Sequence, residues 1–249
     1  MDTNKNSYIF IYASVMVVIV AFLLAFVSSA LKPIQQKNID LDKKKQVLAA
    51  LNIFEKDAEA AYTTFVKADQ LLAADGSVAA ENGGFAIDNS AVSEAQLPLY
   101  VCEVEGETKY VLPLYGAGLW GPIWGYVALD ADKETIYGVY FSHAGETPGL
   151  GAEITNREKF QVPFIGKQAL DANGNVVISV VKNGKVQNPD FEVDGISGGT
   201  ITSQGVDAML KNSIGLYNAF LTQCDKACEQ VACDSTACVA AEVIEVVNQ

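Results

Sequence analysis

The stretch Asp194-Gly195-Ile196-Ser197-Gly198-Gly199-Thr200-Ile201-Thr202-Ser203 is a loop that feeds a helix. Asp194-Gly195 is a turn dipeptide. Gly198 and Gly199 tolerate left-handed backbone angles and allow close approach to the main chain. Thr202 or Ser203 is suited to cap the helix behind them. Val206, Met209, Leu210, Tyr217, Phe220 and Leu221 recur at offsets 0, 3, 4, 11, 14 and 15, which is one face of a helix. Unpaired N–H groups and the positive dipole end at such a start suit a phosphate. By spacing alone the stretch is a capped helix behind a glycine hinge.

Upstream, the pattern is β. Leu97 to Val104 reads as a strand, Glu105-Gly106-Glu107 as a turn and Tyr110 to Leu114 as the hairpin partner. Gly116, Gly118 and Gly121 match G-x-G-x-x-G, but the dinucleotide fingerprint requires a helix to come next. Pro122-Ile123-Trp124-Gly125-Tyr126 starts a strand instead, so the stretch reads as a glycine-kinked hairpin with two core tryptophans. Ile136 to Ser142 is a further strand, running into His143-Ala144-Gly145-Glu146-Thr147-Pro148-Gly149-Leu150-Gly151. A short helix near Arg157 to Phe160 and a strand from Asn175 to Lys182 with an Asn183-Gly184 turn lead back to the motif.

Towards the N-terminus, residues 73–95 are rich in Gly, Ala, Ser and Asn and read as loop. Ala58, Ala61, Tyr62 and Phe65 predict a helix over Asp57 to Ala68, and Val47, Leu48 and Leu51 another from about Asp42. A polar stretch, Pro33 to Asn38, precedes it. The 24 residues from Tyr8 to Leu31 carry no charge, and as a helix they reach roughly 36 Å, enough to cross a bilayer. That run exceeds the apolar core of a cleavable signal, so an uncleaved anchor in membrane lipid is expected. The whole chain has 249 residues and a net charge of −13, which argues against a nucleic-acid partner. His143 is the single histidine, so no His-based metal site and no hydrolytic triad is available. No catalytic residue and no metal ligand is therefore assigned, and no phosphate-binding P-loop occurs.

Asp-x-x-Ser-Gly-Gly-Thr-x-Thr-Ser resembles the flavinylation motif of the FMN-binding domain family. That family occurs in the C subunit of Na⁺-translocating NADH:quinone reductases and in the G subunit of the related ferredoxin:NAD oxidoreductase complex. Gly-Leu-Trp-Gly at 118–121 and Glu-Thr-Pro-Gly-Leu-Gly at 146–151 are similar to further segments of it, in the expected order. In the family a flavin transferase esterifies the last Thr of a Ser-Gly-Ala-Thr core with the phosphate of FMN. The resemblance implies Thr200 as the covalent acceptor, with Gly199 in place of the usual Ala. It also implies Ser197, Gly198 and Gly199 around the phosphate, and Leu119, Trp120, Thr147, Pro148, Gly149 and Leu150 along the ring.

The implied protein has an α+β fold: a single transmembrane helix, then one FMN-binding domain with an antiparallel sheet. Its parts are an anchor at 1–31, a helical and loop segment at 32–95, the FMN-binding domain at 96–223 and a cysteine-containing tail at 224–249. The implied role is electron relay within a Na⁺-pumping NADH:quinone oxidoreductase, a translocase of the bacterial inner membrane. Partners are the other membrane subunits and, during maturation, the flavin transferase. The ferredoxin-linked subunit, or a cofactor-free membrane-anchored interaction or sensor domain, are the alternatives. Lys32, Lys37 and Lys43-Lys44-Lys45 lie beyond the anchor, a bias that favours a cytoplasmic domain. The family implies the outer, periplasmic side, and Asp40 and Asp42 dilute the lysine cluster. In an oxidising compartment Cys224, Cys228, Cys233 and Cys238 read as two disulfides, whereas zinc or an iron–sulfur cluster favours tighter pairs. Cys102 is then a buried single thiol.

Overall fold

A computed structural model describes residues 6–223. The tail cysteines lie outside them. The chain divides after Lys45 into two units. Helix α1, Asn6–Ala50, is continuous and contains Pro33, so no break occurs at the expected polar stretch. Its mean hydropathy reaches 2.9 over its most apolar window. The large apolar side chains from Ile9 to Leu31 are exposed, as in a helix whose solvent is lipid. The protein is membrane-anchored by this helix.

Helix α2 is shorter than the spacing predicts, Ala58–Phe65, with the Asp57 carboxylate accepting the Glu59 and Ala60 N–H groups. Strand β1, Val66–Leu72, takes over where a further helical turn was expected. Thr63, Thr64, Phe65 and Val66 are poor helix formers, and β1 finds a partner strand in the sheet. Strands β2 (Val78–Ala80), β3 (Leu97–Val104), β4 (Glu107–Ala117), β5 (Pro122–Leu129) and β6 (Ile136–His143) complete a six-stranded sheet in the order β2-β1-β3-β4-β5-β6. Every pairing in it is antiparallel. Two strands thus come from before residue 96, one of them inside the stretch read as loop. Strands β7 (Ser179–Val181) and β8 (Glu192–Asp194) form a separate parallel pair. The segment read as a helix near Arg157 is a single π turn, Arg157–Gln161.

The sheet is covered on both faces, which explains its near-continuous apolar strands. On β3, Leu97 and Leu99 point to one face while Tyr100, Cys102 and Val104 point to the other. The first face packs against helix α3, Thr200–Leu216, through Val206, Met209, Leu210 and Ile214. The second packs against Val47 and Ala50 at the end of α1 and Leu51 just after it. Tyr217 ends α3, and its hydroxyl donates to the Pro98 carbonyl at 2.8 Å; the short helix α4, Asn218–Leu221, comes next. The helix face read from the sequence is therefore the packed face, with one break at Tyr217. Cys102 is a buried free thiol whose pKa burial pushes up to about 12.

Candidate functional site

Helix α3 starts at Thr200, with Gly199 as N-cap and no side-chain cap. The capping role expected of Thr202 or Ser203 is thus corrected, because both lie within the helix. Their hydroxyls are used elsewhere. Ser203 Oγ accepts the Ile196 N–H and donates to the Gly199 carbonyl, each at 2.9 Å, and so ties the loop to the first turn. Thr202 Oγ1 donates to the Glu146 carboxylate at 2.7 Å. Gly198 takes the left-handed conformation, φ +78°, whereas Gly199 does not, φ −108°. Thr200 is exposed at the first helical position, beside N–H groups that have no partner within the helix. That position suits an anion.

Glu146 joins three segments that are distant in sequence. Its Oε1 accepts the Trp120 main-chain N–H at 2.9 Å and its Oε2 accepts Thr202, while its own N–H donates to Nδ1 of His143 at 3.1 Å. The residue is only 5% exposed. Burial raises its pKa, but the Trp120 N–H, the Thr202 hydroxyl, the Leu119 N–H and nearby His143 together hold it below the ordinary glutamate value. Glycines make room for it. A Cβ on Gly118 would collide with Oε1, and one on Gly151 with Oε2 and with Thr202 Oγ1.

The β4–β5 hairpin closes with the Gly118 N–H donating to the Gly121 carbonyl at 2.8 Å, so the G-x-G-x-x-G stretch is a strand connection rather than a nucleotide loop. Neither tryptophan in it is a core residue. Trp120 is 69% exposed, and half-buried Trp124 donates from Nε1 to Gln46. Of the residues read as ring-lining, Leu119, Trp120 and Leu150 are large, apolar and exposed. Thr147, Pro148 and Gly149 form an exposed turn, closed by the Leu150 N–H donating to the Thr147 carbonyl at 3.1 Å. Leu150 lies directly against Gly198, where an added Cβ would sit 2.7 Å from its Cδ2. Ser197 and Gly149 both line a cleft of about 420 Å³, and Thr200 borders a smaller hollow of about 90 Å³ with Lys182 and Asn183. The structure thus brings all three motif segments together around Glu146. Glu146 is the site residue that no sequence pattern singles out. An acid directly before a Thr-Pro-Gly turn carries no local sign of burial. His143 ends strand β6, as expected, but serves as acceptor for Glu146.

The family model of the FMN-binding domain matches residues 118–215, from the β4–β5 turn through most of α3. The C subunit of the Na⁺-translocating NADH-quinone reductase of Haemophilus ducreyi is 31% identical over 231 residues, covering 81% of this chain and 88% of that protein. Its counterpart in Pseudomonas aeruginosa is 31% identical over 248 residues, covering 84% and 95%. The chain belongs to the C-subunit family of Na⁺-translocating NADH-quinone reductases. Among solved structures, the C subunit from Parabacteroides distasonis superposes with a TM-score of 0.73 at 46% identity, over 78% of this chain and 98% of that one. The α+β fold and the family's place in an oxidoreductase complex are thereby established. The site fits FMN: an exposed hydroxyl and free helix amides suit a phosphate, and the apolar faces of Leu119, Trp120 and Leu150 suit a ring.

Proposed function

We propose that this chain carries FMN as a phosphoester on Thr200 and relays electrons between subunits of a Na⁺-pumping NADH:quinone oxidoreductase. The observation that carries the reading is the convergence of Gly118–Trp120, Thr147–Gly151 and Ser197–Thr202 on one buried carboxylate, with Thr200 exposed beside them. FMN supplies the redox chemistry, accepting and passing on electrons at its ring. The protein supplies position. Ser197, Gly198 and Gly199 leave the acceptor hydroxyl open to a flavin transferase, and the start of α3 offers its amides to the phosphate. Leu119, Trp120, Thr147, Pro148, Gly149 and Leu150 border the ring and limit its contact with water. Names of the relatives favour the quinone reductase over its ferredoxin-linked counterpart.

Among the motif hydroxyls, Thr202 and Ser203 are buried and engaged, whereas Thr200 is exposed. Thr200→Val keeps the shape and removes the nucleophilic oxygen. Protein from native membranes should lose flavin fluorescence in denaturing gels, while intact mass of the wild type includes one FMN. A fluorescent Thr200→Val band would place the linkage elsewhere. A colourless wild type would favour a cofactor-free interaction domain.

The domain after the anchor belongs, in this reading, on the outer side of the bacterial inner membrane, where the transferase works. Partners are the other membrane subunits of the complex and the surrounding lipid. A membrane-impermeant thiol reagent should label Cys233 in reduced intact cells. Labelling only after lysis would reverse the topology.

A further inference from the structure

Glu146 is an unusual choice for the bonds that it makes. A carboxylate on a residue 5% exposed is ordinarily matched by Lys or Arg. Here its hydrogen-bond partners are neutral: the Trp120 N–H, the Thr202 hydroxyl and the Leu119 N–H. Among the described residues no Lys or Arg forms an ion pair with it. A glutamine would make the same connections at a lower desolvation cost. Its amide oxygen would accept from Trp120, and its NH₂ would donate to the Thr202 oxygen, which can accept as well as donate. The geometry therefore asks for a side chain of this length and shape, but it does not ask for a charge.

The charge lies directly behind the apolar surface. Oε1 is 2.9 Å from the main-chain nitrogen of Trp120, whose side chain is 69% exposed. Oε2 is 2.7 Å from Thr202, two residues after Thr200. Low polarizability around a buried group strengthens its field, and among the described residues no Lys or Arg pairs with it to cancel that field.

We propose that Glu146 is a positioning residue whose buried negative charge, fixed behind the Leu119–Trp120 surface, holds down the reduction potential of a flavin seated there. This rests on the flavin site proposed for the chain. Reduction adds electrons to the ring, so a fixed anion nearby disfavours the reduced form and a neutral residue relieves that cost. His143, at the end of β6, accepts the Glu146 main-chain N–H, makes no hydrogen bond to its carboxylate, and offsets part of the negative charge electrostatically.

The test uses the full chain, purified with its flavin, and compares wild type, Glu146→Gln, Glu146→Asp and Asp207→Asn by spectroscopic redox titration. Asp207 lies on α3 and bonds Ser179, Val180 and Lys211, away from Glu146, so its variant controls for general loss of negative charge. Glu146→Gln should load flavin and titrate at a more positive potential than wild type, with no comparable shift in Asp207→Asn. Equal potentials in wild type and Glu146→Gln overturn the proposal and leave the flavin reading intact. If Glu146→Gln loads no flavin, Glu146→Asp decides: loading at the wild-type potential supports the charge, and failed loading makes the role one of shape alone. A wild type without flavin removes the proposed function itself, and this inference with it.

Discussion

At the scale of single residues, four hydroxyls crowd the motif, and burial separates them. Ser197 and Thr200 are exposed, while Thr202 and Ser203 are buried and hydrogen-bonded. A Thr at 202 looks like a cap in the sequence, because capping is what a Thr near a helix start usually does. Its actual partner is a carboxylate 56 residues away, and no local pattern encodes that distance. Thr202→Val should therefore retain covalent flavin and cost about 2 kcal/mol, the range for a hydrogen bond to a charged group. Urea unfolding measures it. A cost near zero would mean that the Glu146 carboxylate readily finds another donor.

At the scale of elements, three connections build the site: the β4–β5 turn, the loop after β6 and the entry to α3. Each has a glycine where a side chain would obstruct another connection. Gly118 in the β4–β5 turn faces Glu146, Gly151 after β6 faces Thr202, and Gly198 at the entry to α3 faces Leu150. Gly151→Ala, whose Cβ would strike both Thr202 and the carboxylate, should lower stability by about 1–3 kcal/mol. It should also reduce covalent flavin loading, read by fluorescence in denaturing gels. Wild-type loading in a destabilised Gly151→Ala protein would separate the glutamate contacts from flavin attachment. Gly149 has φ +74° and open space around it, so it serves the turn rather than packing.

At the scale of the molecule, the anchor and the folded domain obey different solvents. The apolar side chains of α1 up to Leu31 are exposed, whereas Val47, Leu48, Ala50 and Leu51 are buried at 2% exposure or less. Deleting residues 1–31 should give a soluble, cooperatively folding domain. Deleting through Leu51 should not, because it removes part of the core on one sheet face and leaves Tyr100, Cys102 and Tyr126 uncovered. Circular dichroism and size-exclusion chromatography distinguish the two. Equal folding of both truncations would show that the end of α1 is dispensable.

The anchor, the strands β3 through β6, the packed face of α3 and the three motif segments are legible in the chain alone. Each rests on residues near one another in sequence, where periodicity or turn chemistry is sufficient. Strand β3 falls at Leu97–Val104 as expected, yet Val66–Ala68 reads as helix, because the spacing of Ala58, Ala61, Tyr62 and Phe65 says nothing about where the helix stops. The sheet settles that point, by offering β1 a row of hydrogen bonds from β3. Likewise, nothing local marks Glu146 as buried until the fold closes the Gly118–Trp120 turn and the first turn of α3 around it. Local sequence can specify an element, but a buried charge is specified by the donors that reach it, and those come together only when the distant segments pack.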